Sequence, residues 1–208
     1  MKKKFITALG LPGCGKSSTM RELAKLYDTP YLYCEPEEDK WGMAVMNREE
    51  CGYFSGLMWF RSERVAMLYE AEKKFKEGNI VITDSYYDKA INYYLGKSGM
   101  EWLLSPNDQY FNVAKEITSI DWKILPNVTD IITFELDEKT WKQFLKKRNR
   151  DLDNNAQLLE SFSTQKYFVE AAEKLCTEFN INHIRFKQCY SNPIESAKKI
   201  FELIERRE

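Results

Sequence analysis

The 208-residue sequence has a single histidine, His183, so a site built on several histidine ligands is excluded. Its five cysteines are odd in number and include no C-x-x-C pair, which argues against a disulfide framework or a zinc knuckle. That usage fits a reducing compartment, and the expected location is cytoplasmic. Nine glycines and six prolines are too few and too scattered to build a flexible linker. No repeat or low-complexity tract divides the chain either, and it reads as one domain over 1–208. Neither sign of charge is in excess, since 31 Lys and Arg face 32 Asp and Glu for a net charge of -1. The basic surplus of a protein that coats nucleic acid is missing, which disfavours that class of partner. Long apolar runs are missing too. Behind Met1-Lys2-Lys3-Lys4 the apolar stretch covers only 5–11 before Pro12 and Gly13 end it, too short for a signal peptide. No stretch is long enough to span a bilayer, so no membrane partner is expected.

What is present is enough apolar material for a core, 43% of residues, with 30% charged to keep it dissolved. Short apolar runs alternate with longer helical patterns. Residues 5–9, 31–33, 80–83, 131–136 and 183–186 read as strands, and 17–27, 55–77 and 162–179 as helices. Asp137 is placed to cap a helix running through Trp141, Phe144 and Leu145. Asn192, Pro193 and Glu195 mark the start of the last helix. Helical pieces are expected around 110–120, but 96–126 is the least readable region. Alternation of this kind predicts an α/β fold: a P-loop-type parallel sheet of about five strands with helices on both faces.

The first strand runs into Gly10-Leu11-Pro12-Gly13-Cys14-Gly15-Lys16-Ser17, a full match to G-x-x-x-x-G-K-[ST], with Ser18 following. Glycines let the backbone wrap so that its N–H groups point at phosphate oxygens, and the next helix adds its positive end. Lys16 supplies a mobile cation for the outer phosphates, and the Ser17 hydroxyl is suited to magnesium. ATP and Mg²⁺ are therefore the expected cofactors. Asp84 ends the third strand, where a parallel sheet gathers its ligands, and is the candidate second magnesium residue. Glu35 ends the second strand, and Pro36 forces it into an extended conformation. Its carboxylate could project into the same cleft to handle an acceptor hydroxyl. The competing reading is a solvated acidic loop, because Glu37, Glu38 and Asp39 follow. Cys14, beside cations and backbone donors, is a candidate oxidation target, while the other cysteines read as small buried hydrophobes.

Through further segments in the same order, the chain resembles the thymidylate kinase and deoxynucleoside kinase families. Glu35-Pro36 matches their Glu-Pro pair after the second strand. Phe60 and Arg64 match a Phe-x-x-x-Arg pair on a long helix, where the ring stacks on the acceptor base and the arginine bonds its edge. Asp84-Ser85-Tyr86 lies where these kinases carry Asp-Arg-Tyr, and Tyr93 follows where they have an aromatic. Arg148-Asn149-Arg150 resembles their basic lid, here a segment around 146–156. The resemblance implies transfer of the γ-phosphoryl of MgATP to a nucleoside or nucleoside monophosphate. Lys16, Glu35, Arg148 and Arg150 would be catalytic, and Glu35, Phe60, Arg64, Ser85 and Tyr93 would bind the acceptor. It also implies a homodimer packed through helices, with the region of Trp59 as a surface.

Three positions depart from the pattern. Pro12 stands in place of an acid, Cys34 in place of the arginine before Glu-Pro, and Ser85 in place of the arginine that grips a 5′-phosphate. The last departure favours an acceptor without a phosphate. Two other readings remain open. One is a related kinase acting on a modified base or hydroxyl in nucleic acid. The other is a GTPase-like switch, against which stands the absence of Asn-Lys-x-Asp.

Overall fold

The structure is a computed structural model that describes residues 3–150, 158, 160–189 and 192–206. Five parallel strands, β1 (Phe5–Leu9), β2 (Leu32–Tyr33), β3 (Val81–Thr83), β4 (Asp130–Glu135) and β5 (Asn182–Lys187), form one sheet in the order β2-β3-β1-β4-β5. β1 and β3 are buried at every residue, as strands covered on both faces must be, and so their sequences are continuously apolar or Thr-bearing. β5, at the sheet edge, alternates instead, burying Ile184 and Phe186 and exposing Arg185 and Lys187.

The helices are α1 (Lys16–Leu26), the short α2 (Met43–Met46) and α3 (Arg48–Cys51), and the long α4 (Tyr53–Lys76). After these come α5 (Tyr87–Tyr94), α6 (Phe111–Ile124), α7 (Glu138–Arg148), α8 (Gln165–Phe179) and α9 (Pro193–Glu205). The expected caps are in place: Asp137 accepts from Thr140 N at 2.9 Å, and Asn192 accepts from Ile194 N at 3.0 Å. Gly78, with φ +99°, follows α4 in a conformation that side-chain-bearing residues avoid. The poorly readable region resolves into α6, preceded by turns over 96–110.

The chain reverses direction across the sheet on either side of β1. β2 lies beyond β3 on one side, while β4 and β5 lie on the other. This switch point puts the loops after β1, β2 and β3 side by side at their carboxyl ends. Register makes the adjacency exact in residues: Tyr33 pairs with Thr83, and Phe5 and Ile6 pair with Val81 and Ile82.

The cysteine expectation needs correction. Cys51 and Cys189 are exposed rather than buried, whereas Cys14 is fully buried and so is shielded from oxidants. Among the described residues, no helix is long and apolar enough to cross a membrane. Trp59 is half-buried, packed against Gly42 and Phe60. Exposed apolar residues include Met43 and Met46 on α2 and Val113, Ile120 and Ile124 on α6.

Candidate active site

The loop after β1 is shaped by its glycines. Gly13 and Gly15 have φ of +75° and +87°, and a Cβ at Gly13 would lie 2.4 Å from Leu145 Cδ2 of α7. α7 therefore rests directly on the loop, and Trp141 from the same helix fixes it by donating Nε1–H to the Pro12 carbonyl at 2.7 Å. α1 begins at once, with Gly15 as a cap that offers no side chain and with no acid in its first turn. Its leading N–H groups and positive dipole end are thus left for an anion.

Lys16 folds back under this loop. Its ammonium donates to the Gly10 and Leu11 carbonyls at 3.2 and 3.1 Å and to the Tyr87 hydroxyl at 2.7 Å. Burial opposes its charge, but Cys14, Tyr87 and Glu35 outweigh that and hold it above its usual pKa. The Tyr87 phenol, pushed up to about 12 by burial above all, stays protonated and donates to Gly10 O.

Beside it, Asp84 is 2% exposed and accepts from Glu35 N at 3.0 Å and from the Ser17 side chain. Burial first, then the neighbouring Glu35 carboxylate, push Asp84 up to about 6. Two close carboxylates and a hydroxyl are hard oxygen donors. That set fits magnesium, which takes few protein ligands and completes its shell with waters and phosphate oxygens. No group of three or more His, Cys, Asp or Glu that could hold a metal occurs among the described residues.

Beyond the phosphate end, the cleft, about 600 Å³ in all, opens into an aromatic pocket whose lining includes Trp41, Tyr53, Phe60, Tyr94, Trp102 and Phe168. Phe60 meets the edge of Trp41 at 5.6 Å between ring centres. Arg64, one helical turn on, is held in the same wall. Its Nε and Nη2 donate to the two Asp88 oxygens at 2.6 and 3.1 Å, and its Nη1 donates to Glu35 Oε1 at 3.3 Å. Arg64 is thus the brace that orients Glu35 as well as a wall residue.

On the opposite rim, Gln188 and Phe144 approach Gly15, and Arg148 and Arg150 line the entrance. Residues 151–156 of the expected lid segment lie outside the described residues.

Most expected site residues therefore meet. Pro12, Gly13, Gly15, Lys16, Ser17, Ser18, Glu35, Phe60, Arg64, Arg148 and Arg150 border one cleft, with Asp84 just beneath Ser17. Gly10, Leu11 and Cys14 are buried behind the loop.

Two residues are elsewhere. Ser85 is not in the cleft lining; it borders a small void of about 10 Å³ behind Arg64 and Asp84, with Tyr33, Met67 and Leu68, and its hydroxyl has no partner there. Tyr93 points at α8, where its hydroxyl donates to Glu170 at 3.0 Å. Tyr94, rotated about 100° further round α5, takes the place in the pocket expected of Tyr93. Tyr86 is also structural, donating to the Pro126 carbonyl at 2.7 Å. Arg61 is committed to Asp121 through two bonds of 2.6 and 2.7 Å.

Sequence reading missed Tyr87, Asp88, Trp141 and Trp102. The first three act through partners distant in the chain, and no local motif announces them.

No family model matches the sequence, and no curated protein matches it. Solved structures do. A thymidylate kinase from Candida albicans superposes with a TM-score of 0.68 at 19% identity, covering 99% of this chain and 92% of that one. A deoxyadenosine kinase from M. mycoides with bound dATP gives a TM-score of 0.69 at 15% identity, covering 97% and 99%. The same enzyme with the products dCMP and a flexible dCDP gives 0.66 at 15%. The likeness runs the length of the chain and agrees with the P-loop geometry, so the protein has the fold of the thymidylate and deoxynucleoside kinases.

Proposed function

We propose that this protein is a kinase that transfers the γ-phosphoryl group of MgATP to a hydroxyl of a nucleoside. The observation that carries the reading is the contiguity of three parts in one cleft. A phosphate-binding loop, a braced carboxylate at Glu35 and an aromatic pocket ending at Phe60 follow one another without a break. Phosphoryl transfer asks the protein mainly for positioning and charge neutralisation, and these parts supply both. The loop amides and Lys16 take the phosphates. Glu35, held by Arg64, accepts the hydroxyl proton of the acceptor. Arg148 and Arg150 offset charge on the migrating group. Ser17 and Asp84 would hold magnesium, which would supply positive charge to the phosphate oxygens.

An unphosphorylated acceptor is favoured over a monophosphate on charge grounds. At the acceptor end, Arg64 faces the two carboxylates Glu35 and Asp88, and Arg61 is spent on Asp121. Neither is a spare cation for a phosphate that brings about two negative charges. Ser85, where the resembling kinases carry an arginine, does not border the cleft.

The test is turnover of ATP to ADP with thymidine, deoxycytidine, deoxyadenosine and their monophosphates. Preference for a nucleoside supports the reading, and a monophosphate used with micromolar KM overturns it. Glu35→Gln should lower turnover roughly a hundredfold with little change in ATP affinity. Unchanged turnover would return Glu35 to the acidic loop. A homodimer is kept as part of the proposal, and the exposed apolar stripe of α6 is its candidate surface, to be checked by light scattering.

A further inference from the structure

Glu37 belongs in sequence to a run of acids that reads as a solvated loop. The structure sets it apart from its neighbours. Its two carboxylate oxygens are divided between arginines from opposite sides of the cleft. Oε1 accepts from Arg21 Nη2 of α1 at 2.9 Å, and Oε2 accepts from Arg150 Nη2, beyond the end of α7. The Arg150 guanidinium also lies over the Trp41 ring, 5.7 Å from its centre. Trp41 is anchored in turn, donating to the Pro36 carbonyl at 3.0 Å and meeting Phe60 at the acceptor wall. One short segment, 36–41, thus holds Arg150 from two sides, with a carboxylate and with an aromatic face. Glu35, the carboxylate aimed at the acceptor, directly precedes that segment.

The charges agree with a working role. Burial works against the ionised Glu37, yet Arg21, Arg150 and Arg148 outweigh it and hold the carboxyl below its usual range. Asn149 ends α7 in the left-handed conformation, φ 51°, so Arg150 has already left the helix. A long side chain there would otherwise lose rotamer freedom only as the transition state forms. Fixing it beforehand moves that loss out of the chemical step.

We propose that Glu37 is a positioning residue: it holds Arg150 at the junction of the phosphate and acceptor subsites and, through Trp41, ties that placement to the acceptor wall. The proposal rests on the kinase reading above. The rival role for the same carboxylate is that of a stand-in anion that competes with phosphate for Arg21 and Arg150. The two roles predict opposite signs. If Glu37 positions, its neutral analogue is slower. If it competes, the analogue binds ATP more tightly or turns over faster.

The experiment uses the full chain with Glu37→Gln, Glu37→Asp, Arg150→Lys and the Glu37→Gln, Arg150→Lys double variant. Glu37→Gln should lower kcat about tenfold while the KM for ATP changes less than about twofold, the pattern of an interaction used in the transition state. Glu37→Asp should recover part of that loss. The double variant should be little worse than Arg150→Lys alone, because the Glu37–Arg150 contact is the one that both changes break and the exposed Arg21 pair contributes little. Turnover of Glu37→Gln equal to or above wild type, tighter ATP binding, or fully additive losses would each overturn the proposal.

A second readout needs no turnover. The emission contributed by Trp41, taken as wild type minus Trp41→Phe, should change on Glu37→Gln in the substrate-free protein without a shift in melting temperature. Constant emission contradicts the tether. A wild type that phosphorylates no acceptor would refute the kinase reading alone, and the emission test would still decide the placement of Arg150.

Discussion

Arg64 is the residue on which the acceptor wall turns, and Asp88→Asn is the perturbation that isolates it. The wild-type pair is nearly dry, with side chains 11% and 7% exposed, and is bidentate at 2.6 and 3.1 Å. Removing one partner of such a pair leaves a buried guanidinium without its main counter-charge, at a typical cost of about 3–5 kcal/mol. Here Glu35 remains as a second acceptor at 3.3 Å, so a cost just below that range, about 2–3 kcal/mol, is expected. For a chain of this length, each kcal/mol moves the melting temperature by about 2–4 °C, so the loss should be roughly 4–12 °C.

Thermal unfolding followed by circular dichroism measures that shift directly. The companion variant, Arg64→Met with Asp88→Leu, removes both charges and fills similar space. It should regain most of the stability, as buried pairs replaced by apolar groups often do, but none of the turnover, because Glu35 has lost its brace. An Asp88→Asn protein that melts within about a degree of wild type would refute the reasoning, since a fall of at least about 4 °C follows from it. So would a double variant with normal kinetics.

Three further outcomes follow from the same geometry. Lys16→Ala should abolish phosphoryl transfer and also lower stability by about 1–3 kcal/mol. The stability loss arises because the Gly10 and Leu11 carbonyls and the Tyr87 hydroxyl lose a shared donor, and a urea melt checks it.

Asp84 holds its proton more tightly folded than unfolded, its pKa being raised from 3.8 to about 6. Stability without cation should therefore fall as pH rises through that window. Asp84→Asn should melt above wild type at neutral pH, with the gap closing near about pH 4, and should be inactive; a gap independent of pH would contradict the assignment.

Ser85→Arg should destabilise the fold, because the new side chain enters a void of about 10 Å³ rather than the cleft. A gain on monophosphates in that variant would place residue 85 at the acceptor after all.

How much of this was legible in the sequence depended on how local each signal is. The P-loop could be read because one contiguous run supplies its glycines, lysine and serine, and strand and helix flank it as required. Asp84 and Glu35 could be read because each ends an apolar strand, and parallel register brings such ends together. Caps at Asp137 and Asn192 were equally local.

Direction around an element was harder. Tyr93 and Tyr94 are adjacent in sequence but about 100° apart on α5, and the helix aims the second at the pocket. Ser85 shares a small void with Asp84, but its hydroxyl finds no partner there, whereas Asp84 accepts from Ser17 and Glu35 N. Asp88 with Arg64 and Trp141 with Pro12 were out of reach, because 24 and 129 residues separate the partners. Glu37 looked like its solvated neighbours, and only the folded chain shows two arginines converging on it.

If the phosphate loop and the aromatic pocket serve one transfer between two small molecules, the protein incubated with magnesium, γ-labelled ATP and a mixture of nucleosides and nucleoside monophosphates will pass the label to an acceptor. Label is expected in a nucleoside monophosphate, none when Lys16 is replaced by Ala, and little in any diphosphate. Label released only as inorganic phosphate, with no acceptor carrying it, would rule out such a transfer and favour a nucleotide-hydrolysing switch.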